Sequence, residues 1–273
     1  MLDALPIQHQ RCKGEARVTL GSRDGQTVLS ELRQAGSAKA MLPRCHSARP
    51  EVVFLNTAGG LTGGDDMRFA VNLAAGTTAL AATQTAERVY ASSGGRASVD
   101  VRLTVGEGAD LIWLPQETIL FNHAGLDRRT TVNLGEGARV LMVETIVLGR
   151  HAMGERLDAV DVIDRRRIER ADGAPMFHDA LRLTADDLKE NAAPAGLAGA
   201  GAMTVVAMAG PGATDRLDDV RRHLGAARDA AASVSGDVLI IRLMQSDAFA
   251  LRRRTANLIQ HLTRGPLPRV WQI

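Results

Sequence analysis

A repeat of about thirty residues restricts the fold of this 273-residue sequence more than any other feature. Each unit carries an apolar-polar-apolar triplet, a glycine turn and a second apolar run. The units run from Val71-Asn72-Leu73 through Gly76 to Ala79, from Val101-Arg102-Leu103 through Gly106 and Gly108 to Ala109, and from Val132-Asn133-Leu134 through Gly135 and Gly137 to Ala138. Alternation of apolar and polar residues in the middle unit indicates strands. The repeat therefore predicts a mainly β fold, in which hairpin-like strand-turn-strand units stack into a layered β-superhelical body.

A glycine-rich loop precedes the repeat. It contains Gly59, Gly60, Gly63 and Gly64, and it joins the apolar run Val52-Val53-Phe54-Leu55 to the alternating residues from Met67 onward. Paired glycines permit positive φ and close backbone approach, so the loop is a specified turn between two strands of one sheet. Two interpretations stay open: a backbone-lined docking loop that carries Asp65 and Asp66, or a connection that only needs glycine.

The segments on either side of the repeat have different patterns. Val18, Leu20 and Val28 around a glycine-bounded turn predict a first hairpin, and Asp172-Gly173 predicts a second. The run Arg165-Arg166-Arg167 is assigned to the solvated side of that second hairpin.

From residue 191 the composition shifts to alanine and glycine, and the pattern becomes α/β. The predicted elements are a strand over Met203 to Met208, a helix capped by Thr214 from Asp215 to Ala232, a strand over Val238 to Met244, and a helix capped by Ser246 to Leu262 with Phe249 on its apolar face. We expect a β-rich body over residues 1–190 and an α/β part with two helices over 191–273, packed together as one continuous unit.

Composition excludes several functions. The net charge of +2 and the aromatic fraction of 3% do not indicate a nucleic-acid partner. The most apolar stretch, residues 195–210, is too short for a membrane span, and the first residues lack the features of a signal peptide. We therefore expect a cytoplasmic protein. Cys12, Cys45 and His46 match no zinc spacing, so packing is favoured over metal binding, and their role stays open.

A polar cluster follows the second strand of each unit. The clusters contain Glu87, Glu117 and Glu144. Stacking in register would align these glutamates, with Asp65, along one rim or internal channel, whereas the alternative is that each glutamate faces solvent. Arg88 and Arg150 are near enough in sequence to supply partners for buried carboxylates. Glu155 ends a second glycine-bounded polar loop, in which its spacing from His151 is a weak signal.

Four blocks in this order resemble the urease accessory protein D family (UreD, also called UreH), from about Leu42 to the C-terminus. They are the glycine loop, Gln84-Thr-Ala-Glu-Arg-Val-Tyr90, Pro115-Gln-Glu-Thr-Ile-Leu-Phe121 and Gly149-Arg-His-Ala-Met-Gly-Glu155. The resemblance implies a layered, mostly β protein that is not an enzyme. It also implies a chaperone that binds the urease structural subunits and the accessory proteins F and G, and helps nickel reach the urease active site.

One departure from the family bears on the metal. Many members carry His-Pro-Pro before the double glycine, where this chain has Asn56-Thr57-Ala58. A metal relay through that histidine cannot be carried over, but the carboxylates remain, and weak carboxylate ligands suit a conduit from which Ni²⁺ must leave. We expect no tightly bound cofactor or metal, only transient Ni²⁺.

Two rival functions stay open beside the conduit. One is a passive scaffold that holds the partners without handling the metal. The other is a carboxylate-based hydrolase, which is disfavoured because no paired nucleophile and base accompany the carboxylates. At the C-terminus, Trp271 and Ile273 are candidates for docking a partner, and the alternative is that they pack on the protein's own body.

Overall fold

The computed structural model describes residues 10–44, 49–150, 153–190, 192–193 and 196–272. The strands are β1 (Lys13–Arg23), β2 (Gln26–Gly36), β3 (Ala38–Met41), β4 (Glu51–Asn56), β5 (Asp66–Leu73), β6 (Thr78–Thr83), β7 (Glu87–Val89), β8 (Ala97–Val105), β9 (Asp110–Leu114), β10 (Thr118–Leu120), β11 (Ala124–Leu134), β12 (Arg139–Leu148), β13 (Val160–Arg170), β14 (Pro175–Leu183), β15 (Ala202–Ala209), β16 (Ala230–Ser235) and β17 (Val238–Gln245). The helices are α1 (Ala185–Lys189), α2 (Leu217–Leu224) and α3 (Ala248–Thr263). The expected mainly β fold of stacked units is confirmed.

The strands of the described residues form two sheets. The first sheet has the order β14-β13-β11-β8-β5-β1-β2, and the second has the order β16-β17-β15-β12-β9-β6-β4-β3, with β7 and β10 paired to each other beside β12. The strands of the repeated units pair in parallel within each sheet. Antiparallel pairs lie outside them, at both edges of the first sheet and, in the second, between β3 and β4 and from β12 through β15 and β17 to β16. The inward side chains of both sheets share one hydrophobic core.

Each repeated unit contributes one strand to each sheet. The two strands of a unit do not pair with each other; β8, for example, pairs with β5 and β11 of the neighbouring units. The expectation of hairpin-like units was therefore wrong, although the stacking was right. The register places Leu103 between Val71 and Val132, two residues from the position that the sequence repeat suggests. A shift of two keeps the same face inward, so the alternation stays correct.

Glycines make the turns between the two sheets and stack on one another. Gly76, Gly108 and Gly137 have φ of 67°, 62° and 64°. The amide of Gly76 donates to the carbonyl of Glu107 at 2.8 Å, and that of Gly108 donates to Glu136 at 2.8 Å. Positive φ favours glycine at each turn, which explains why the repeat is punctuated by this residue.

The glycine-rich loop also crosses between sheets. The strand before it, β4, lies in the second sheet, and the strand after it, β5, lies in the first. The prediction of a crossing within one sheet was wrong, because alternation and glycine content do not say which strand a segment pairs with. Both predicted hairpins, β1 with β2 and β13 with β14, are confirmed.

The C-terminal elements cover the outer face of the second sheet with a second hydrophobic core. The strand β15 pairs with β12, so the sheet continues past residue 190. The predicted helix from a Thr214 cap to Ala232 was wrong at both ends: Thr214–Arg216 is a 3-10 turn, α2 spans Leu217–Leu224 and is followed by Gly225 with a φ of 69°, and β16 pairs with β17. Pairing along a sheet edge overrides the helix preference of this alanine-rich run.

The cap of the last helix, α3, lies one residue later than predicted. The side chain of Asp247, not Ser246, accepts a hydrogen bond from the Ala250 amide. Leu251 and Leu258 are buried against the second sheet, but Phe249 is 69% exposed and does not belong to the apolar face. None of the helices within the described ranges is long and apolar enough to cross a membrane.

Candidate functional site

A small cavity lies between the two sheets, beside the segment that joins β9 to β10. About 50 Å³ is open to the centres of water molecules, which is room for roughly three or four waters. The first sheet contributes apolar side chains and Arg128 to its lining, and the second sheet contributes mostly polar side chains and Trp113. The lining residues are Leu61, Phe69, Thr83, Glu87, Val99, Val101, Trp113, Pro115, Gln116, Thr118, Leu126, Arg128 and Glu144.

The inner wall of the cavity belongs to a buried ion cluster, formed by Arg128, Glu144, Asp164 and Arg166. The guanidinium of Arg128 donates two hydrogen bonds to Asp164, at 2.8 and 2.7 Å. Arg166 also pairs with Asp164. Burial opposes ionisation of Asp164, but the positive charges of Arg128 and Arg166 outweigh it and hold the pKa of that carboxyl below its usual value. Asp164 is therefore ionised.

Glu144 reaches this cluster from the opposite sheet. Its carboxylate accepts from Arg166 Nε at 2.9 Å and from Thr130 Oγ1 at 2.6 Å. Arg166 also donates to Asp179 at 3.0 Å. The cluster therefore joins the two sheets through hydrogen-bonded ion pairs, and the negative charge of Glu144 is already compensated. Because only 2% of Arg166 is exposed, its assignment to the solvated side of the hairpin was wrong.

Arg128 and Asp164 were not among the predicted site residues, although the sequence contains a signal for them. In β13, every second residue from Val160 points inward, which places Asp164 and Arg166 in the same phase as Ile168. Arg128 occupies an inward position of β11 in the same way. A charged residue in the inward phase of a strand needs a buried partner, so the phase of these three residues predicts the buried ion cluster.

Glu87 lies at the other side of the cavity and has a different environment. Both of its carboxylate oxygens accept from Asn56 Nδ2, at 3.3 Å, and it makes no ion pair with the residues that the structure describes. Burial raises the pKa of Glu87 to about 7, and the hydrogen bond from Asn56 opposes that rise only in part. Near neutral pH this carboxyl can gain or lose a proton.

The remaining predicted carboxylates lie elsewhere. Glu117 pairs with Arg252 of α3 at 2.6 Å. The register of the short strands pairs Glu87 with Thr118, and Thr118 with Ile146, so the three glutamates are not equivalent positions of the stack. The structure thus brings Glu87 and Glu144 to one cavity and places Glu117 against the C-terminal helix.

Asp65 fastens the glycine-rich loop. Its buried carboxylate accepts from the amide of Cys12 at 2.7 Å and from that of Thr62 at 2.8 Å. Within the loop, a side chain at Gly60 would meet the Tyr90 ring at 2.3 Å, and one at Gly63 would meet Ser92 at 2.0 Å. These two glycines are required by close packing against the neighbouring loop.

The outer glycines of the pairs have other roles. Gly59 has a φ of 79° and its carbonyl accepts from the Tyr90 hydroxyl at 3.2 Å, and Gly64 has a φ of 91°. Arg88 is exposed, and its carbonyl accepts from the Leu61 amide at 2.7 Å. The loop is therefore fixed to β7, the strand that carries Glu87.

Arg150 and Glu155 pair with each other rather than with the cavity. Arg150 Nε donates to Glu155 Oε2 at 2.9 Å, and its guanidinium lies 4.3 Å from the centre of the Phe121 ring. The hydrogen bond from Arg150 lowers the pKa of Glu155 to about 2. Two backbone amides, those of Asn122 and Arg150, also donate to Glu155, which closes the loop after β12.

Two further candidates, Trp271 and Cys12, contact other parts of the protein. Trp271 is 5% exposed and packs on the protein's own body, as the alternative for this residue stated. Cys12 contacts the Ser37 hydroxyl at 2.6 Å. Cys45, His46, His151 and Ile273 lie outside the described residues. Within the described ranges, no three His, Cys, Asp or Glu side chains are placed to hold a metal ion together.

Fold and cavity together define the class: a two-sheet β protein of stacked units that encloses a carboxylate-bearing cavity, whose described lining includes no His, Cys, Ser or Lys. The chain matches the family described as UreD urease accessory protein over residues 12–272, a match that begins well before Leu42. It is 47% identical over 275 residues to the urease accessory protein UreD of Paracoccus denitrificans (strain Pd 1222), covering 100% of this chain and 97% of that relative.

A second relative is more distant. The urease accessory protein UreD of Rhizobium etli (strain ATCC 51251 / DSM 11541 / JCM 21823 / NBRC 15573 / CFN 42) is 42% identical over 271 residues, covering 99% of this chain and 98% of the relative. The chain belongs to the UreD urease accessory protein family. Its role is therefore in urease maturation.

Proposed function

We propose that this chain is a cytoplasmic, non-enzymatic chaperone that binds the urease structural subunits and the accessory proteins F and G, and that its inter-sheet cavity is part of a route for Ni²⁺ toward the urease active site. Membership of the family supports the role in maturation. The observation that carries the nickel route is the environment of Glu87, a cavity carboxylate held by an amide rather than by a guanidinium.

Charge compensation within the cavity supports this assignment. A carboxylate that is fully compensated by arginine has little attraction left for a cation, and this describes Glu144. Glu87 lacks such a partner among the described residues, so its negative charge is available to a passing ion. Weak binding by one carboxylate and water suits an ion that must leave again. Asn56 is a neutral amide that can hold Glu87 in place without competing for that charge.

The test is co-expression with the urease subunits and the other accessory proteins. Replacing Glu87→Ala should lower the nickel content and activity of urease while the complex still assembles in a pull-down, and Glu87→Leu should lower them further by filling the cavity with an apolar side chain. Glu107→Ala, at an exposed turn on the opposite side of the stack, is the matched control and should leave all three measurements unchanged.

Two results would count against the nickel route. If Glu87→Ala and Glu87→Leu leave nickel incorporation normal while both partners still bind, the chain acts as a passive scaffold. If the variants lose the complex and the nickel together, Glu87 supports assembly instead of the metal.

A further inference from the structure

The ladder of the second sheet is interrupted next to the cavity. β9 ends at Leu114 and β10 begins at Thr118, which leaves three residues between the two strands. The carbonyl of Leu114 accepts a hydrogen bond from the indole Nε1 of Trp271 at 2.9 Å. A residue from the end of the chain thus covers the outer side of this interruption.

Gln116 lies in the interruption and contacts both sides. It lines the cavity, and only 5% of it is exposed. On the outer side its amide donates to the carbonyl of Val270 at 2.6 Å, and its side-chain oxygen accepts from Arg252 at 2.6 Å. One side chain therefore separates the cavity from the C-terminal segment.

Arg252 holds this arrangement together. Besides Gln116, it donates to Glu117 at 2.6 Å, and its guanidinium lies 5.0 Å from the centre of the Trp271 ring. Trp271 in turn belongs to the second hydrophobic core. We call Gln116, Arg252, Val270 and Trp271 the tail closure.

We propose that the tail closure covers a second mouth of the inter-sheet cavity, on the outer face of the second sheet. This inference rests on the proposed function, because a route through the protein needs an exit as well as the approach at Glu87. When residues 268–272 lift away, Gln116 loses the Val270 carbonyl and keeps only Arg252 as its partner on the outer side, so its side chain can swing outward together with that guanidinium. The closed arrangement is then the resting state of the isolated chain.

The location of the closure makes opening feasible. Trp271 lies in a short 3-10 turn, Arg269–Trp271, and no strand of either sheet runs through it. A segment outside the strand ladders opens locally more readily than a central strand, because few other elements have to move. The strands that form the cavity can therefore stay paired while the mouth opens.

Thiol labelling tests the closure without nickel. In a chain with Cys12→Ser and Cys45→Ser, Val101→Cys places a probe in the cavity lining, and Val105→Cys places a control on the same face of the same strand outside that lining. Trp271→Ala should raise the labelling rate at position 101 about tenfold or more, because local opening of the second mouth adds a route of access for the reagent. The rate at position 105 should stay the same.

Each possible result of the labelling experiment either supports or overturns the tail closure. An unchanged rate at position 101 in folded Trp271→Ala overturns the closure, and so does an equal rise at positions 101 and 105, which would report general loosening. If Trp271→Ala does not fold, Arg252→Met, which keeps the aliphatic stem but removes the contacts with Gln116 and Glu117, takes its place with the same outcomes. Because no nickel is present, failure here leaves the Glu87 route standing, and failure of the Glu87 variants leaves the closure standing.

Discussion

Glu144 and Glu87 border the same cavity, yet their carboxylates have different partners: arginine side chains for Glu144 and an amide for Glu87. Glu144 lies among two buried arginines and a threonine hydroxyl, so its charge is compensated inside the protein. Glu87 has the amide of Asn56 instead, and the pKa of its carboxyl rises with burial. The two carboxylates therefore differ in their partners: Glu144 pairs with arginine side chains, whereas Glu87 accepts its side-chain hydrogen bonds from a neutral amide.

The largest expected effect is a loss of stability when one arginine of the buried ion cluster is replaced. Arg166→Met leaves Glu144 and Asp164 with one guanidinium between them, and breaking a buried ion pair in this way costs about 3–5 kcal/mol. Urea unfolding followed by circular dichroism should show that loss of stability, or the variant should fail to accumulate as soluble protein. Arg102→Met, which removes an exposed pair with Asp100, is the control and should change stability by less than about 1 kcal/mol. Equal effects of the two variants would mean that the buried ion cluster is not what stabilises the inner wall.

A second effect concerns pH. The pKa of Glu87 is about 7 in the folded chain, above its ordinary value of 4.5, so folding favours the protonated form. The stabilisation is fully present below about pH 4.5 and is lost as the pH rises through about 7. Glu87→Gln, which cannot ionise, should therefore be more stable than the parent chain at pH 8, by at most about 3 kcal/mol, since one pKa unit corresponds to about 1.4 kcal/mol.

The measurement is the unfolding free energy of both chains at pH 5 and pH 8. The advantage of Glu87→Gln should be small at pH 5 and larger at pH 8. Parallel dependence of the two chains on pH would show that Glu87 ionises as freely as an exposed glutamate, and the contrast with Glu144 would then disappear.

The smallest expected effect is the coupling free energy of Glu117 with Arg252. Like Glu144, Glu117 pairs with an arginine, but it lies nearer to solvent. A double-mutant cycle with Glu117→Gln and Arg252→Met should give a coupling free energy of about 1 kcal/mol, as for partly exposed ion pairs. A coupling of several kcal/mol would place Glu117 with the buried ion cluster in energetic terms, and compensation would then extend to the outer face of the sheet.

Local patterns in the sequence predicted much of the fold. Alternation located most strands, glycines located the turns, and the repeat predicted the stacking. The pairing of each strand was not predictable in the same way, because an arch between two sheets and a hairpin within one sheet share the same alternation and the same turn residues. The helix predicted over Ala230 to Ala232 was wrong for a related reason. These residues pair with β17, which lies later in the chain, and that pairing outweighs helix propensity.

Only part of the site was predictable from the sequence, because contacts between side chains of the site also depend on how distant strands pair. The recurrence of glutamates after each second strand led to Glu87 and Glu144, but register sets which of them meet, and register depends on distant partners. Arg166 was misplaced because a run of arginines suggests solvent. In a strand, neighbouring residues point to opposite faces, so Arg165 and Arg167 say nothing about the surroundings of Arg166.

Parallel stacking of the units has a consequence for how the chain is made. A strand such as β8 finds its hydrogen-bonding partners only in units about thirty residues away, so no central layer is complete until its neighbours have been synthesised and docked. Sheets built from distant pairings fold slowly and leave strand edges open in the meantime. We therefore expect slow refolding and a tendency to aggregate when the chain is overproduced, with lower growth temperature improving the soluble yield.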